Sequence, residues 1–228
     1  MTEVRDVVFL LDVDNTLLDN DAVERDLREH LEEAFGLESQ RRYWEIFEQL
    51  RGELGYADYL GALQRYRVEH PRDPELLNIS LFLVDYPFVE RLYPGAIDVI
   101  ERLRQSGATV ILSDGDVVFQ PRKVARSGLW KAVDGHVLIY IHKEQMLDDV
   151  EYRYPARHYV MVDDKLRILA AMKKVWGERV TTVFPRQGHY ANDPAITAAY
   201  PAADISIEGI ADLATYDLAA LSRTLKSP

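Results

Sequence analysis

The sequence predicts an α/β fold in which a parallel β-sheet is covered by helices, with a block of helices inserted after the first strand. Two patterns along the chain favour this fold. From about residue 93 onward, short apolar segments typical of strands alternate with helical periodicity, which implies parallel strands joined by helical crossovers. Between about residues 20 and 92, strand character is lost and apolar residues recur at helical spacing instead. A length of 228 residues suits one large α/β domain, or a core with a smaller inserted domain.

The first predicted element is a buried strand that ends in acidic residues. Residues 7–11, of sequence VVFLL, form an apolar run typical of a central strand with both faces covered. Asp12 and Asp14 follow this run, and side chains two apart on a strand point to the same side. Both acids would therefore project into the crevice where open α/β sheets bind ligands. Two carboxylates this close need a bound cation or a raised pKa on one of them. Alternatively, Asp14, Asn15 or Thr16 could simply cap a turn or the following helix.

The second predicted unit is the helical insertion. The apolar residues that recur there at helical spacing include Leu27, Leu31, Phe35, Tyr43, Phe47 and Leu50. Glycines punctuate the block, and a loop rich in proline predicts that a helix begins near Pro74. We therefore predict a core domain formed by residues 1–19 and 93–228, and an inserted helical domain formed by residues 20–92.

The remaining elements follow in alternation. A helix that carries Ile97, Ile100 and Leu103 is predicted between Pro94 and Gly107. Strands are predicted at residues 108–113, 137–141, 159–162, 180–184 and 205–207. Helices are predicted at residues 121–127 and 166–176. The segment 184–190 is predicted to emerge at the same edge of the sheet as the acidic residues. There Arg186 and His189 could contact substrate or a partner subunit, or the segment could be a packed loop.

The composition limits the classes of partner. A net charge of −11 disfavours nonspecific binding to nucleic acid or to a membrane surface, although a local basic pocket could still receive a small anion. The chain has no cysteine, which excludes disulfides, thiolate metal sites and cysteine nucleophiles. Its first residues are charged, and no apolar run approaches the ~20 residues that span a bilayer. We therefore expect a cytoplasmic protein that binds neither nucleic acid nor membranes.

Polar residues follow the other predicted strands as well. They are Ser113, Asp114, Gly115 and Asp116 after the second strand, His142 and Lys143 after the third, and Asp163, Asp164 and Lys165 after the fourth. A parallel sheet with right-handed crossovers brings these strand ends to one edge. Carboxylate oxygens suit Mg²⁺, one carboxylate can attack phosphorus, and a second can protonate the leaving oxygen. Hydroxyl, ammonium and backbone N–H groups can bind the phosphoryl oxygens. The set therefore predicts phosphoryl transfer.

In these motifs the chain resembles the haloacid dehalogenase-like (HAD) superfamily, whose four motifs are all present in order. The resemblance implies a Rossmann-like three-layer core with a parallel sheet, and an α-helical cap domain at the insertion. It further implies that Asp12 is the nucleophile and that Asp14 is the general acid/base. The phosphate-binding residues that it implies are Thr16, Ser113, Asp114, Gly115 and Lys143.

The same resemblance implies a Mg²⁺ site. The ligands would be the Asp12 carboxylate, the main-chain carbonyl of Asp14 and an acid of the fourth motif. We favour Asp164 as that acid, with Asp163 binding through water or orienting its neighbour. Which of the two faces the cation does not follow from strand alternation alone.

Three lysines lie near strand ends, and we favour Lys143 as the phosphate-binding lysine of the third motif. Lys123 comes soon after the second motif, at a position predicted to lie inside a helix. Lys165 could contact the acids or begin the next helix. Asp116 could repel an anionic substrate or cap the helix that follows.

Within the superfamily, Asp14 favours phosphate esters over organic halides, because a departing alkoxide gains from protonation whereas a halide does not. A phosphonate hydrolase would use a cap lysine to form an imine, and the first lysine of this chain is Lys123. We therefore predict Mg²⁺-dependent hydrolysis of a small phosphorylated metabolite, through an aspartyl-phosphate on Asp12. The alternatives are a phosphomutase of the same superfamily and a catalytically silent protein that binds a phosphorylated ligand.

Overall fold

The computed structural model describes residues 4–221 and contains a six-stranded sheet. Its strands are β1 (Arg5–Leu11), β2 (Ala108–Asp114), β3 (Val137–Tyr140), β4 (Ala156–Val162), β5 (Val180–Pro185) and β6 (Ile205–Ile207). They lie in the order β3-β2-β1-β4-β5-β6, and every neighbouring pair is parallel. The predicted α/β fold with a parallel sheet is confirmed.

Helices cover the sheet, and five of them lie in the part of the chain that connects β1 to β2. They are α1 (Asn20–Phe35), α2 (Leu37–Leu54), α3 (Tyr59–Glu69), α4 (Leu76–Asp85), α5 (Ala96–Arg104), α6 (Phe119–Arg126), α7 (Leu129–Ala132), α8 (Leu147–Arg153), α9 (Leu166–Trp176), α10 (Gly188–Asn192), α11 (Pro194–Ala198) and α12 (Leu218–Leu221). Short 3-10 turns lie at Phe88–Arg91, Lys143–Gln145, Gly177–Arg179 and Ile210–Ala214. We call α1–α4 the helical unit. In the described part of the chain, none of these helices has the length and apolar character needed to cross a bilayer.

Several strand and helix bounds differ from those that the sequence predicts, and two of these differences lie near the acidic edge of the sheet. Helix α6 begins two residues earlier than predicted, because the Asp116 carboxylate accepts the N–H groups of Val118 and Phe119 at 2.7 and 2.6 Å. Of the two roles considered for Asp116, the structure shows the cap. The segment predicted to be a loop at 184–190 contains the start of α10. Short helices such as this one are held by tertiary contacts more than by their own periodicity.

The register of the central strands places the acidic residues. Leu11 pairs with Ile111 of β2 and with Val162 of β4, so the residues that follow all three strands meet at one edge. The N–H of Asp12 donates to the Val162 carbonyl at 3.0 Å, which extends the pairing by one step. Beyond this point the chain turns sharply through Asn15, which has a left-handed φ of 59°.

The helical unit packs on the core through an aromatic cluster. Tyr43, Trp44, Phe47 and Tyr59 are buried within the unit and make ring contacts with one another. The ring of Tyr59 also lies 5.2 Å from that of Phe119, at the start of α6. This contact joins the helical unit to the same helix that follows the second strand end.

Candidate active site

Three buried carboxylates lie together at the carboxyl edge of the sheet. Asp12, Asp163 and Asp164 are almost fully buried, and one oxygen from each lies within 4.8 Å of the others. Neither carboxylate oxygen of Asp164 has a hydrogen-bond partner among the described residues. A buried carboxylate that lacks donors is unfavourable unless a cation binds it. The donor set of three carboxylates therefore fits a hard divalent cation such as Mg²⁺.

Burial perturbs these acids strongly. Removal from water raises the pKa of Asp12 to about 6, although the nearby Lys143 ammonium opposes the shift. Burial also raises the pKa of Asp164 well above its usual range, and the Asp163 charge adds to the effect. A cation bound between these two carboxyl groups would therefore stabilise the ionised form of both.

Lys143 is the buried cation of this cluster. Its Nζ lies 2.5 Å from Asp12 Oδ1, 2.6 Å from Asp163 Oδ2 and 3.2 Å from the Leu112 carbonyl oxygen. Burial opposes the charged form of Lys143, but the surrounding carboxylates outweigh it and raise its pKa. Of the three candidate lysines, Lys143 is the one that contacts the predicted nucleophile.

Thr16 and Asp114 lie in the site, and their polar atoms contact protein groups there. The Thr16 hydroxyl lies 3.2 Å from Asp12 Oδ2 and accepts the N–H of Asp164 at 3.1 Å, so it links the segment after β1 to the segment after β4. The Asp114 carboxylate accepts the N–H of Lys143 at 2.7 Å and thereby fixes the turn that carries this lysine. Burial raises the pKa of Asp114.

Asp14 lies beside this cluster and faces a cleft. Its Oδ1 accepts a hydrogen bond from Lys123 Nζ at 2.7 Å, and its Oδ2 accepts one from Gln120 Nε2 at 3.3 Å. Gln120 also donates to the Ser113 hydroxyl at 2.9 Å. The predicted acid/base group and the predicted phosphate-binding serine are thus bridged by one amide.

The sequence reasoning missed Lys123 and Gln120. Lys123 does lie inside a helix, as predicted, but its side chain is only 1 % exposed and points into the site. Phe119, Gln120, Lys123 and Val124 are all buried and form one face of α6. The spacing of these residues could have indicated that Gln120 and Lys123 are buried, because polar residues that share a helix face with apolar residues are buried with them.

Gly115 lies at the turn between β2 and α6, and its N–H donates to the Tyr140 carbonyl at 2.9 Å. The close packing of this turn requires a glycine. A Cβ on residue 115 would lie 2.7 Å from the Cβ of Gln120, and real Cβ atoms do not approach so closely.

A cleft of about 560 Å³ leads to Asp14. Its walls come from the core and from the helical unit, and include Arg51, Tyr56, Tyr59, Lys165, Tyr190 and Tyr200. Arg51 of α2 donates to the Tyr190 hydroxyl of α10 at 2.7 Å and so bridges the two walls. His189 of α10 likewise contacts the helical unit, through a hydrogen bond of 2.7 Å to Asp21 of α1. The segment after β5 thus contributes Tyr190 to the cleft and contacts the helical unit at both residues.

Comparison with known proteins finds relatives by sequence and by fold. A sequence model of the haloacid dehalogenase-like hydrolases matches residues 7–175. The chain is 68% identical to a protein of Burkholderia xenovorans LB400 described as a haloacid dehalogenase-like hydrolase, over 93% of this chain and 99% of that one, with a TM-score of 0.89. No curated protein matches the chain.

More distant solved structures share the fold. The HAD-hydrolase YfnB of Bacillus subtilis, solved with magnesium bound, is 19% identical over 92% of this chain and 97% of that one, with a TM-score of 0.61. The L-2-haloacid dehalogenase of Xanthobacter autotrophicus is 19% identical over 93% and 98% of the two chains, with a TM-score of 0.59.

Proposed function

This chain belongs to the haloacid dehalogenase-like hydrolase family, and on that premise we propose that it is a Mg²⁺-dependent phosphatase of a small phosphorylated metabolite. The observation that carries the proposal is the position of Asp14. This second carboxylate lies at the cleft beside the buried nucleophile candidate, where Lys123 and Gln120 hold it. A departing alkoxide needs a proton donor at that place, whereas a halide needs none.

The proposed reaction has two halves. In the first, an oxygen of Asp12 attacks phosphorus, the bond to the leaving oxygen breaks, and the carboxyl group of Asp14 gives that oxygen its proton. An alcohol leaves, and an aspartyl-phosphate remains on Asp12. In the second, the Asp14 carboxylate takes a proton from water as the water oxygen attacks phosphorus. The bond to Asp12 then breaks, which releases inorganic phosphate and regenerates both acids.

The remaining residues supply charge and orientation. Lys143 contacts the attacking carboxylate and balances its charge. The Ser113 hydroxyl and the Lys143 ammonium are the groups that we propose for the phosphoryl oxygens. Thr16 keeps the Asp12 carboxylate beside Asp164.

The residues present fit a Mg²⁺ ion. We propose the Asp12 carboxylate, the main-chain carbonyl of Asp14 and the Asp164 carboxylate as its protein ligands. Asp164 is favoured over Asp163, because Asp163 already has partners: its Oδ1 accepts the Lys165 N–H at 2.8 Å, and its Oδ2 forms an ion pair with Lys143 Nζ at 2.6 Å. Both oxygens of Asp164 lack a hydrogen-bond partner among the described residues. When bound, the ion would offset the negative charge of the phosphoryl group and of the carboxylates.

Hydrolysis of a general phosphomonoester panel with Mg²⁺ tests the proposal. The wild type should release inorganic phosphate from at least one ester. Asp12→Asn should abolish release while the far-ultraviolet circular dichroism spectrum stays unchanged. Asp6→Asn is the matched control, because Asp6 is an exposed acid at the opposite end of β1.

Three outcomes would contradict this assignment. Release that persists in Asp12→Asn would exclude Asp12 as nucleophile. Halide release from 2-haloacids without phosphate release would place the enzyme among dehalogenases. No turnover on either panel would favour a protein that only binds a phosphorylated ligand.

A further inference from the structure

Lys123 is a buried cation that contacts the proposed proton donor Asp14. Its side chain is 1 % exposed, on the inner face of α6. Its Nζ lies 2.7 Å from Asp14 Oδ1 and 2.9 Å from Asn20 Oδ1, and 5.4 Å from the centre of the Phe119 ring. Burial of an ammonium group is costly unless it is paired, so these contacts hold the side chain in one place.

Lys123 and Gln120 hold the Asp14 carboxylate from two sides. The two residues are three apart on α6 and so lie on one face of the helix. One donates to Oδ1 and the other to Oδ2, which fixes both the position of the carboxylate and its rotation. Gln120 is itself anchored to Ser113, at the predicted phosphate-binding position.

Asn20 connects this arrangement to the helical unit. It is the first residue of α1, and its Oδ1 accepts from Lys123. Its Nδ2 donates to the Tyr59 hydroxyl at 3.4 Å, and that hydroxyl donates to Glu24 Oε1 at 2.8 Å. A continuous chain of hydrogen bonds therefore runs from Asp14 through Lys123 into the helical unit.

We propose that Lys123 is a positioning residue for proton transfer: it holds the Asp14 carboxyl group at the leaving oxygen of the ester, and Asn20 holds Lys123. The proposal rests on the phosphatase function proposed above. Misplacement of a proton donor by about 1 Å can cost orders of magnitude in rate, so a residue that only orients Asp14 still controls the step.

The dependence of the rate on the leaving group tests this role. p-Nitrophenolate leaves readily without a proton, whereas an alkoxide does not. The ratio kcat/KM reports only the first half-reaction, in which the alcohol leaves, whereas kcat also includes hydrolysis of the aspartyl-phosphate, where Asp14 acts on both esters alike. Lys123→Met should therefore lower kcat/KM by about 10- to 100-fold for an alkyl phosphate and by less than about threefold for p-nitrophenyl phosphate. Lys131→Met is the control, because Lys131 is an exposed lysine on the next helix, and it should change neither rate.

Further variants separate positioning from folding. The double variant that combines Asp14→Asn with Lys123→Met should be no slower than Asp14→Asn alone, because both changes disable the same proton transfer. Lys123→Arg should recover part of the alkyl ester rate. Asn20→Ala keeps the lysine and should also lower the rate more for the alkyl ester than for p-nitrophenyl phosphate. This variant tests the role if Lys123→Met does not fold. A crystal structure of Lys123→Met should show the Asp14 carboxylate displaced.

The outcomes distinguish the two proposals. Equal losses of kcat/KM on both esters, or additive losses in the double variant, would overturn the positioning role while the phosphatase function stands. An unmoved Asp14 in the variant crystal structure would overturn it as well. Failure of the wild type to hydrolyse either ester would overturn the phosphatase function, and the positioning role with it.

Discussion

At the scale of single residues, the site concentrates negative charge where water is excluded. Asp12, Asp163 and Asp164 are buried together, and Lys143 is the one ammonium that lies within hydrogen-bond distance of two of them among the described residues. Because burial raises the pKa of Asp12 and of Asp164, both carboxyl groups hold their protons more tightly in the folded chain than in the unfolded chain. The charge of the cluster is therefore set by pH and by any cation that binds.

The sign of this linkage gives a prediction for magnesium. As pH rises through about 6, the folded-state pKa of Asp12, the metal-free protein must bury a further negative charge and should lose stability. Mg²⁺ needs ionised ligands, so it should raise the melting temperature more at pH 8 than at pH 5. At a hundredfold excess over Kd, binding stabilises a protein by about 2.7 kcal/mol.

Thermal unfolding after treatment with a chelator, with and without added Mg²⁺, checks this expectation. Asp164→Asn should reduce the shift at pH 8, whereas the exposed Asp6→Asn should leave it unchanged. Equal shifts at pH 5 and pH 8 would contradict a site built from carboxylates with raised pKa values.

At the scale of elements, the site depends on how α6 is set against the end of β2. Asp116 caps the helix, and the chain between the two elements passes close to Gln120. Gly115 makes this approach possible, because any side chain at that position would meet the Gln120 stem. The strand end, the cap and the helix face thus act together to place one amide between Ser113 and Asp14.

Gly115→Ala should therefore disturb the site more than the fold. Its new Cβ would lie 2.7 Å from the Gln120 Cβ, and relief of this overlap should cost about 1–3 kcal/mol of unfolding free energy and lower kcat. Gly52→Ala is the control, because Gly52 lies inside α2 with no atom within 4 Å of a new Cβ. That change should stabilise the protein by about 0.4–1 kcal/mol. Urea unfolding of both variants measures the difference, and a neutral Gly115→Ala would contradict the packing argument.

At the scale of the whole molecule, the parallel sheet collects groups that are far apart in the chain. Asp12 and Lys143 are separated by 131 residues and meet because their strand ends share one edge. The helical unit adds the opposite wall of the cleft, and the contact between Tyr59 and Phe119 joins it to α6. Substrate would therefore be enclosed by two parts of the chain, and the aromatic contact near Lys123 is one of the contacts that join them.

Loss of this contact should weaken the molecule as a whole. Phe119→Ala should cost about 3–5 kcal/mol of unfolding free energy, because Phe119 is buried between the core and the helical unit. Val118→Ala, at an exposed neighbouring position, should cost less than about 0.5 kcal/mol. Urea unfolding measures both values. A loss below about 1 kcal/mol in Phe119→Ala would show that the two parts pack independently of this ring.

The sequence by itself determined the sheet and its acidic edge. The apolar run before Asp12 and the strand before Asp163 are local patterns, and parallel topology then brings both acids together whatever the details of packing. Helix α9 was predicted with its observed bounds for the same reason, since its periodicity is strong and local. The tertiary structure alone decided that Lys123 contacts Asp14, that Gln120 lies between Asp14 and Ser113, and that Gly115 closely approaches Gln120. The spacing of buried residues on α6 indicates which face of this helix is buried, but packing against the sheet and the helical unit decides which groups that face meets.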